Sequence, residues 1–170
     1  VPGLGRDADF TEYVQARSQS LCKIAYLLCQ DRDRADDLVQ SAITKLYVNW
    51  HRAEKVEHLD AYVRRILVNT FLTEQRSGWW RRVTLSHEDP EIASASTDLD
   101  ITLTLRAALE VIPPRQRAAI VLRYYCDLSV EETAAALNCS PGTIKSQTAR
   151  GLDALRRVLE PRPSLQIGRV

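Results

Sequence analysis

The sequence predicts an all-α protein: two small helical domains joined by a flexible acidic linker. Three observations predict this. Apolar residues recur at helical spacing through both halves of the chain, and no alternating strand pattern of useful length occurs. The charges are divided along the chain: residues 1–86 hold 13 basic and 11 acidic residues, residues 87–101 hold 5 acidic and no basic ones, and residues 102–170 hold 10 basic and 6 acidic. An acidic strip thus separates two mildly basic blocks. The boundaries that follow are 8–82 for the first domain, 83–97 for the linker, 98–160 for the second domain and 161–170 for a frayed tail.

Composition bounds the rest. With 170 residues, 45% hydrophobic and 26% charged, the chain can form soluble cores without staples. No apolar run approaches the roughly 20 residues that span a bilayer, so no membrane insertion is expected. The opening VPGLGRDAD has no apolar segment of the signal-peptide kind, which points to a cytoplasmic protein. Cys22, Cys29, Cys126 and Cys139 form no C-x-x-C pair, and His51, His58 and His87 do not join them at metal-ligand spacing. Free thiols, no metal and no cofactor are expected.

The first helix carries one stripe, Phe10, Tyr13, Val14, Arg17, Leu21, Ile24, Ala25 and Leu28. A second carries Ala35, Leu38, Val39, Ala42, Ile43, Leu46, Tyr47 and Trp50. Between them Asp31 and Asp33 are placed to cap, and Asp36 and Asp37 fall in the first turn, where carboxylates suit the positive end of the helix dipole. The outward side of the second helix presents Asp37, Gln40, Ser41, Thr44 and Lys45, a mixed polar face that is either solvated surface or a docking site. After the polar loop HRAEKVEH a third helix runs from near Asp60 to about Arg76. Tyr62, Val63, Ile66, Leu67, Thr70 and Phe71 are available for packing. Its remaining positions, Arg64, Arg65, Asn69 and Arg76, lead into Trp79, Trp80, Arg81 and Arg82. Cations track phosphates and aromatic faces accept unstacked bases, which suits opened DNA. The alternative is that both tryptophans close the edge of the core.

The linker TLSHEDPEIASAST has no helical stripe; its acids serve solubility or mimic a nucleic-acid strand. Helicity resumes at Asp98, with Leu99, Leu103, Leu105, Ala108, Leu109 and Ile112 in one helix closed by Pro113 and Pro114. RQRAAIVLRYYC forms another. Then comes a helix-turn-helix. Ser129 and Glu132 make a capping box, Asn138 tolerates the left-handed conformation that ends a helix, and Ser140 with Pro141 starts the next one. Val130, Ala134, Leu137, Ile144, Thr148, Leu152 and Leu155 face inward. On the outer face of the second helix lie Thr143, Lys145, Ser146, Gln147 and Arg150, donors and acceptors suited to phosphates and base edges in a major groove. A helical hairpin with a solvated charged face is the alternative reading.

Three stretches now carry a resemblance: RADDLVQSAITKLYVNW, AYVRRILVNTFLTEQRSGWWRR, and IPPRQRAAIVLRYYCDLSVEETAAALNCSPGTIKSQTARGLDALRR. In this order the chain resembles bacterial RNA polymerase sigma factors of the extracytoplasmic-function type from about Phe10 to Leu159. The resemblance implies that core RNA polymerase and promoter DNA, duplex and opened, are the partners. It assigns Asp37, Gln40, Ser41 and Thr44 to docking on the polymerase clamp, and Arg64, Arg65, Asn69 and Arg76 to the minus-ten element. The loop from Arg52 to His58 corresponds to one that captures a flipped base, and the linker to a segment that threads toward the RNA channel. Thr143, Lys145, Ser146, Gln147 and Arg150 correspond to readers of the minus-thirty-five element. Many members have arginine where this chain has Gln147, and glutamine prefers the adenine edge, so no promoter sequence carries over. Family members are commonly held inactive by an anti-sigma protein or an extra C-terminal domain. The short tail here leaves a separate inhibitor, or control by expression, as the expectation.

Two other classes compete with this reading. A two-domain regulator with a helix-turn-helix fits the end of the chain, but its front half lacks an α/β receiver pattern. A helical hydrolase needs a clustered acid, base or nucleophile, and none is found, so no catalytic residue is expected.

Overall fold

Asp31 sets the first corner of the fold. It sits in extended backbone, its carboxylate accepts the Arg34 N–H at 2.9 Å, and it thereby starts α2 (Arg32–Val48) directly after α1 (Leu4–Cys29). Gln30, between the two helices, takes a left-handed φ of 61°. Its side-chain amide donates to the Leu27 carbonyl, which pins a conformation that glutamine rarely adopts. The computed structural model describes residues 4–77 and 97–160, and among these the chain forms eight α-helices and no strand.

A short α3 (Trp50–Ala53) and a turn lead to α4 (Leu59–Arg76). Most of the apolar stripes meet as expected, with Leu28, Leu38, Leu46, Leu67 and Phe71 fully buried, but Arg17 and Tyr47, placed on the same stripes, stay exposed, Tyr47 at 51%. Trp50 closes one end of this bundle, with the Phe10 ring edge-on to it at 5.3 Å. Asp36 and Asp37 fall one turn deeper than the expected first turn, because α2 begins at Arg32 and Asp33 takes the place beside the helix start. The loop expected from Arg52 to His58 begins inside α3.

The second half comprises α5 (Thr97–Glu110), α6 (Pro114–Ile120), α7 (Val130–Leu137) and α8 (Pro141–Leu159). Pro114 occupies the first position of α6, where no N–H is needed. The stripe expected to continue through RYYC instead widens into a π-helical turn, Val121–Tyr125, with the Cys126 N–H donating to the Val121 carbonyl at 3.0 Å. Asp127, at φ 54°, then turns the chain into α7. Leu103 and Leu105 remain 39% and 41% exposed, so the packed stripe of α5 narrows to Ala108 and Leu109, with Ile112 just beyond.

One hydrophobic core runs through both halves. It joins Leu28, Leu67 and Phe71 to Ala118, Leu122, Leu137 and Ile144. A smaller cluster, Leu109, Ile112 and Ile120, has Leu27 of α1 packed against it. Among the described residues no helix is long and apolar enough to cross a membrane. All four cysteines are free thiols; Cys29 is buried, and burial pushes its thiol pKa up to about 12. The expected linker, apart from Thr97, and the expected tail lie outside the described residues.

Candidate nucleic-acid interface

The helix-turn-helix is built from local bonds that its sequence announces. The Ser129 hydroxyl accepts the Glu132 N–H at 3.0 Å and the Glu132 carboxylate accepts the Ser129 N–H at 2.7 Å. These bonds hold the Glu132 carboxyl below its ordinary pKa. Asn138 ends α7 at φ 51° and ψ 54°, and the Cys139 N–H returns to the Ala134 carbonyl at 3.0 Å. Ser140 then accepts the Thr143 N–H at 3.1 Å and α8 begins with Pro141.

The inward side of the motif is dry: Thr133 and Ile144 have no exposed surface, and Ala134 and Leu137 are buried. Gly151 of α8 stands against Ile120 and Gln116 of α6. A Cβ added there would lie 2.4 Å from Ile120 Cδ1, so no larger residue enters without displacing that side chain. With its inner face fixed in this way, α8 turns Lys145, Ser146 and Arg150 to solvent, with Thr143 and Gln147 half-buried beside them. The Ser146 hydroxyl donates to the Thr143 carbonyl at 3.0 Å and the Thr143 hydroxyl pairs with that of Ser140 at 2.9 Å. The strip therefore combines two cations, one amide and two hydroxyls on one helical face. This is the chemistry of phosphate positioning with a limited capacity for base reading.

A second basic strip lies on α4. Arg65 and Arg76 are exposed, and Arg64 and Asn69 are half-buried. Arg65, Asn69 and Arg76 line one cleft of about 280 Å³ with Arg115 and Asn138 of the second half. Arg64 lies in a larger groove of about 730 Å³, shared with Tyr13, Arg17, His58, Glu132 and Ala136. At its edge the Tyr13 hydroxyl donates to Asp60 at 2.8 Å and Arg17 pairs with the same carboxylate at 2.9 Å. Burial beside this carboxylate raises the Tyr13 pKa above the ordinary phenol value. Trp79, Trp80, Arg81 and Arg82 lie outside the described residues.

The third group is on the outward side of α2. Asp37, Gln40 and Thr44 are exposed and Ser41 is half-buried, opposite the buried Ala35, Leu38, Val39, Ala42 and Leu46. The Thr44 hydroxyl donates to the Gln40 carbonyl at 2.8 Å, so the strip makes no tertiary bond through that group.

Sequence reading missed two arginines. Arg117, only 7% exposed, donates to the carbonyls of Leu28 at 2.6 Å, Ile112 at 2.9 Å and Glu110 at 3.1 Å. Arg106 donates through Nε to the Gln30 carbonyl at 2.9 Å. Both tie the second half to the end of α1. Periodicity marks arginine as surface, and the one available hint was the place of Arg117 on the inward side of α6.

Comparison with known proteins fits this arrangement. Residues 13–81 match the family described as Sigma-70 region 2, and residues 102–155 match Sigma-70, region 4. RNA polymerase sigma-E factor of Streptomyces coelicolor is 38% identical over 94% of this chain and 90% of its own length. The sigma-E factor of Streptomyces avermitilis is 39% identical over 93% and 89%, and the ECF RNA polymerase sigma factor EcfG of Rhodopseudomonas palustris is 31% identical over 86% and 82%. Among solved structures, the sigma factor RpoE of Bartonella quintana, crystallised in complex with the anti-sigma factor NepR, superimposes with a TM-score of 0.72 at 30% identity. That match covers 91% of this chain and 99% of the other. Carrying both regions in order, and matching such relatives over most of its length, the chain belongs to the extracytoplasmic-function (ECF) sigma factors of bacterial RNA polymerase.

Proposed function

We propose a division of labour within a sigma factor that directs core RNA polymerase to its promoters. The α2 strip Asp37, Gln40, Ser41 and Thr44 docks on the polymerase. The α4 strip Arg64, Arg65, Asn69 and Arg76, followed in the chain by Trp79, Trp80, Arg81 and Arg82, engages the opened minus-ten element. The α8 strip Thr143, Lys145, Ser146, Gln147 and Arg150 reads the minus-thirty-five element in duplex. The first domain spans 8–82 and the second 98–160. The protein acts in the cytoplasm and performs no chemistry of its own; it contributes binding free energy that the polymerase uses to choose and open a site.

The observation that carries this reading is the α8 strip: five polar side chains on one face of a helix whose other face is packed down to a glycine. Packing on that scale fixes the orientation of the strip before DNA arrives, so little ordering cost is left at binding. Each module alone binds weakly, because the spacing of the two is set only when polymerase holds both.

Run-off transcription with core polymerase tests the division. On a promoter bearing its upstream element, Arg150→Ala is expected to weaken engagement by roughly 1–3 kcal/mol if a base contact is lost. Equal losses on promoters with and without that element would refute base reading and leave phosphate contact alone.

A further inference from the structure

Arg65, Asn69, Leu72, Thr73 and Arg76 recur at helical spacing and so share one face of α4. That face lines one side of the cleft of about 280 Å³, and Arg115 of α6 with Leu137 and Asn138 at the end of α7 lines the other. Leu72 and Leu137 are buried, Arg65 and Arg76 are exposed, and Arg115 is half-buried. Three guanidinium groups thus surround two leucines, and no carboxylate lines the cleft. Among the described residues none of the three guanidiniums makes an ion pair or a hydrogen bond.

Local structure accounts for one of these cations and not for the others. Arg76 stands in the last turn of α4, where a positive charge suits the helix dipole. Arg65 stands in mid-helix, and Arg115 stands in the first turn of α6, where the dipole disfavours a cation. Each carries N–H donors in a planar fork that fits phosphate oxygens in pairs. The cleft also limits what it takes. Arg65 and Arg76 lie about 16 Å apart along the helix axis, so an anion that serves both carries its charges in a row. The volume of about 280 Å³ falls short of the roughly 300–1,000 Å³ of pockets that enclose larger organic ligands. No aromatic ring lines the cleft, so a base finds neither room nor a stacking surface there.

We propose that this cleft binds a linear oligophosphate, a chain of adjacent phosphoryl groups without a base. Arg65 and Arg76 hold it from α4 and Arg115 holds it from α6, with the side-chain amides of Asn69 and Asn138 as neutral donors. Because Arg65, Asn69 and Arg76 also belong to the strip assigned to opened strand, an occupied cleft withholds them from the strand. That consequence rests on the minus-ten assignment, whereas the site itself does not.

Titration calorimetry of the full chain tests the site, with sodium tripolyphosphate as ligand and orthophosphate beside it, at about 0.1 M salt, where charges more than about 10 Å apart are largely screened. One tripolyphosphate per chain is expected, bound at least about tenfold more tightly than orthophosphate, because a single phosphate reaches fewer of the forks. Arg115→Gln and Arg76→Gln should each weaken it by about tenfold or more, the loss of one charge-assisted contact. Arg157→Gln removes the same charge from an exposed position outside the cleft and should change the affinity by less than about twofold. Equal losses in all three variants overturn the site and leave only general attraction to a basic surface, and orthophosphate bound as tightly as tripolyphosphate overturns the linear ligand. If Arg115→Gln loses its helical circular dichroism, Arg115→Lys takes its place; it keeps the charge, loses the fork, and should still bind more weakly than the wild type. A fluorescent single strand, the non-template minus-ten segment of a promoter used in run-off transcription, separates free oligophosphate from nucleic-acid phosphate. Arg115→Gln should leave strand affinity within about twofold of the wild type, since the cleft has no place for a base; a loss as large as that for tripolyphosphate makes the cleft a strand contact and overturns the proposal. Tripolyphosphate should also displace this strand from the wild-type chain. If it binds with the expected losses and displaces nothing, the minus-ten assignment of Arg65, Asn69 and Arg76 falls and the site stands.

Discussion

Replacing Arg117 by methionine keeps most of the side-chain volume and removes the guanidinium. Two of the three carbonyls that it serves, Leu28 and Ile112, are buried at the bond. A buried acceptor left without a donor costs about 1–3 kcal/mol, which gives a gross loss of about 2–6 kcal/mol for the pair. Against this stands the desolvation of the cation itself, the main cause that pulls its pKa down and a penalty that the methionine does not incur. The net expectation is a loss of about 2–3 kcal/mol. For a chain of this length each kcal/mol shifts the melting temperature by about 2–4 °C, so Arg117→Met should melt about 4–12 °C lower. Urea unfolding followed by far-ultraviolet circular dichroism and by tryptophan fluorescence reads more than the midpoint. Trp50 is buried in the first half, so its fluorescence reports that half, while circular dichroism reports both. The wild type should unfold with the two signals coincident and the variant with them separated, because the bond that is lost couples the halves. A loss below about 1 kcal/mol with coincident transitions would refute the idea that Arg117 ties the halves together, since even one orphaned buried carbonyl costs that much.

Four further outcomes follow from the same geometry. Glu132 has its carboxyl pKa lowered by its bonds with Ser129, so its contribution is present above the unfolded value of about 4.3 and is lost as pH falls through the lower folded value. The stability difference between wild type and Glu132→Gln should be constant near neutrality and shrink toward acid, as thermal melts across that range will show. Gly151→Ala forces Ile120 aside, an overpacking cost of about 1–3 kcal/mol that the better helix propensity of alanine, about 1 kcal/mol, offsets only in part; urea midpoints should fall. Cys29, with its thiol pushed up to about 12, should be the last of the four cysteines to be alkylated at pH 8, scored by peptide mass spectrometry of the native protein. On a duplex bearing the upstream element, Lys145→Ala should lower the salt dependence of holoenzyme binding by about one unit of slope, whereas Gln147→Ala should leave the slope unchanged and relax preference at one base pair.

The elements that local chemistry determines were readable in the chain. Capping box, left-handed Asn138 and Pro141 start each depend on residues within a few positions, and each stands where the pattern puts it. What escaped depends on distant partners. The π-helical turn at Val121–Tyr125 satisfies a backbone that must bend toward α7, and nothing in VLRYY marks the extra residue per turn. Leu103 and Leu105 fit the apolar period of α5, yet the core reaches only its last turn, so periodicity overstated the packed face. Arg117 and Arg106 read as surface because arginine usually is, and their role comes from carbonyls many residues away in sequence. The polar strips of α2, α4 and α8 were each found, but how much of the α4 strip solvent reaches was not legible, because it depends on how the halves meet.

That meeting bears on how such a protein is used. A specificity subunit that bound opened strand on its own would occupy single-stranded nucleic acid throughout the cell, since cations and aromatic rings bind strands with little regard to sequence. Specificity is a difference of affinities, and it improves when the wrong complex is weakened as well as when the right one is strengthened. In this chain all three strips are partly covered: Ser41 of α2, Arg64 and Asn69 of α4, and Thr143 and Gln147 of α8 are half-buried beside exposed neighbours.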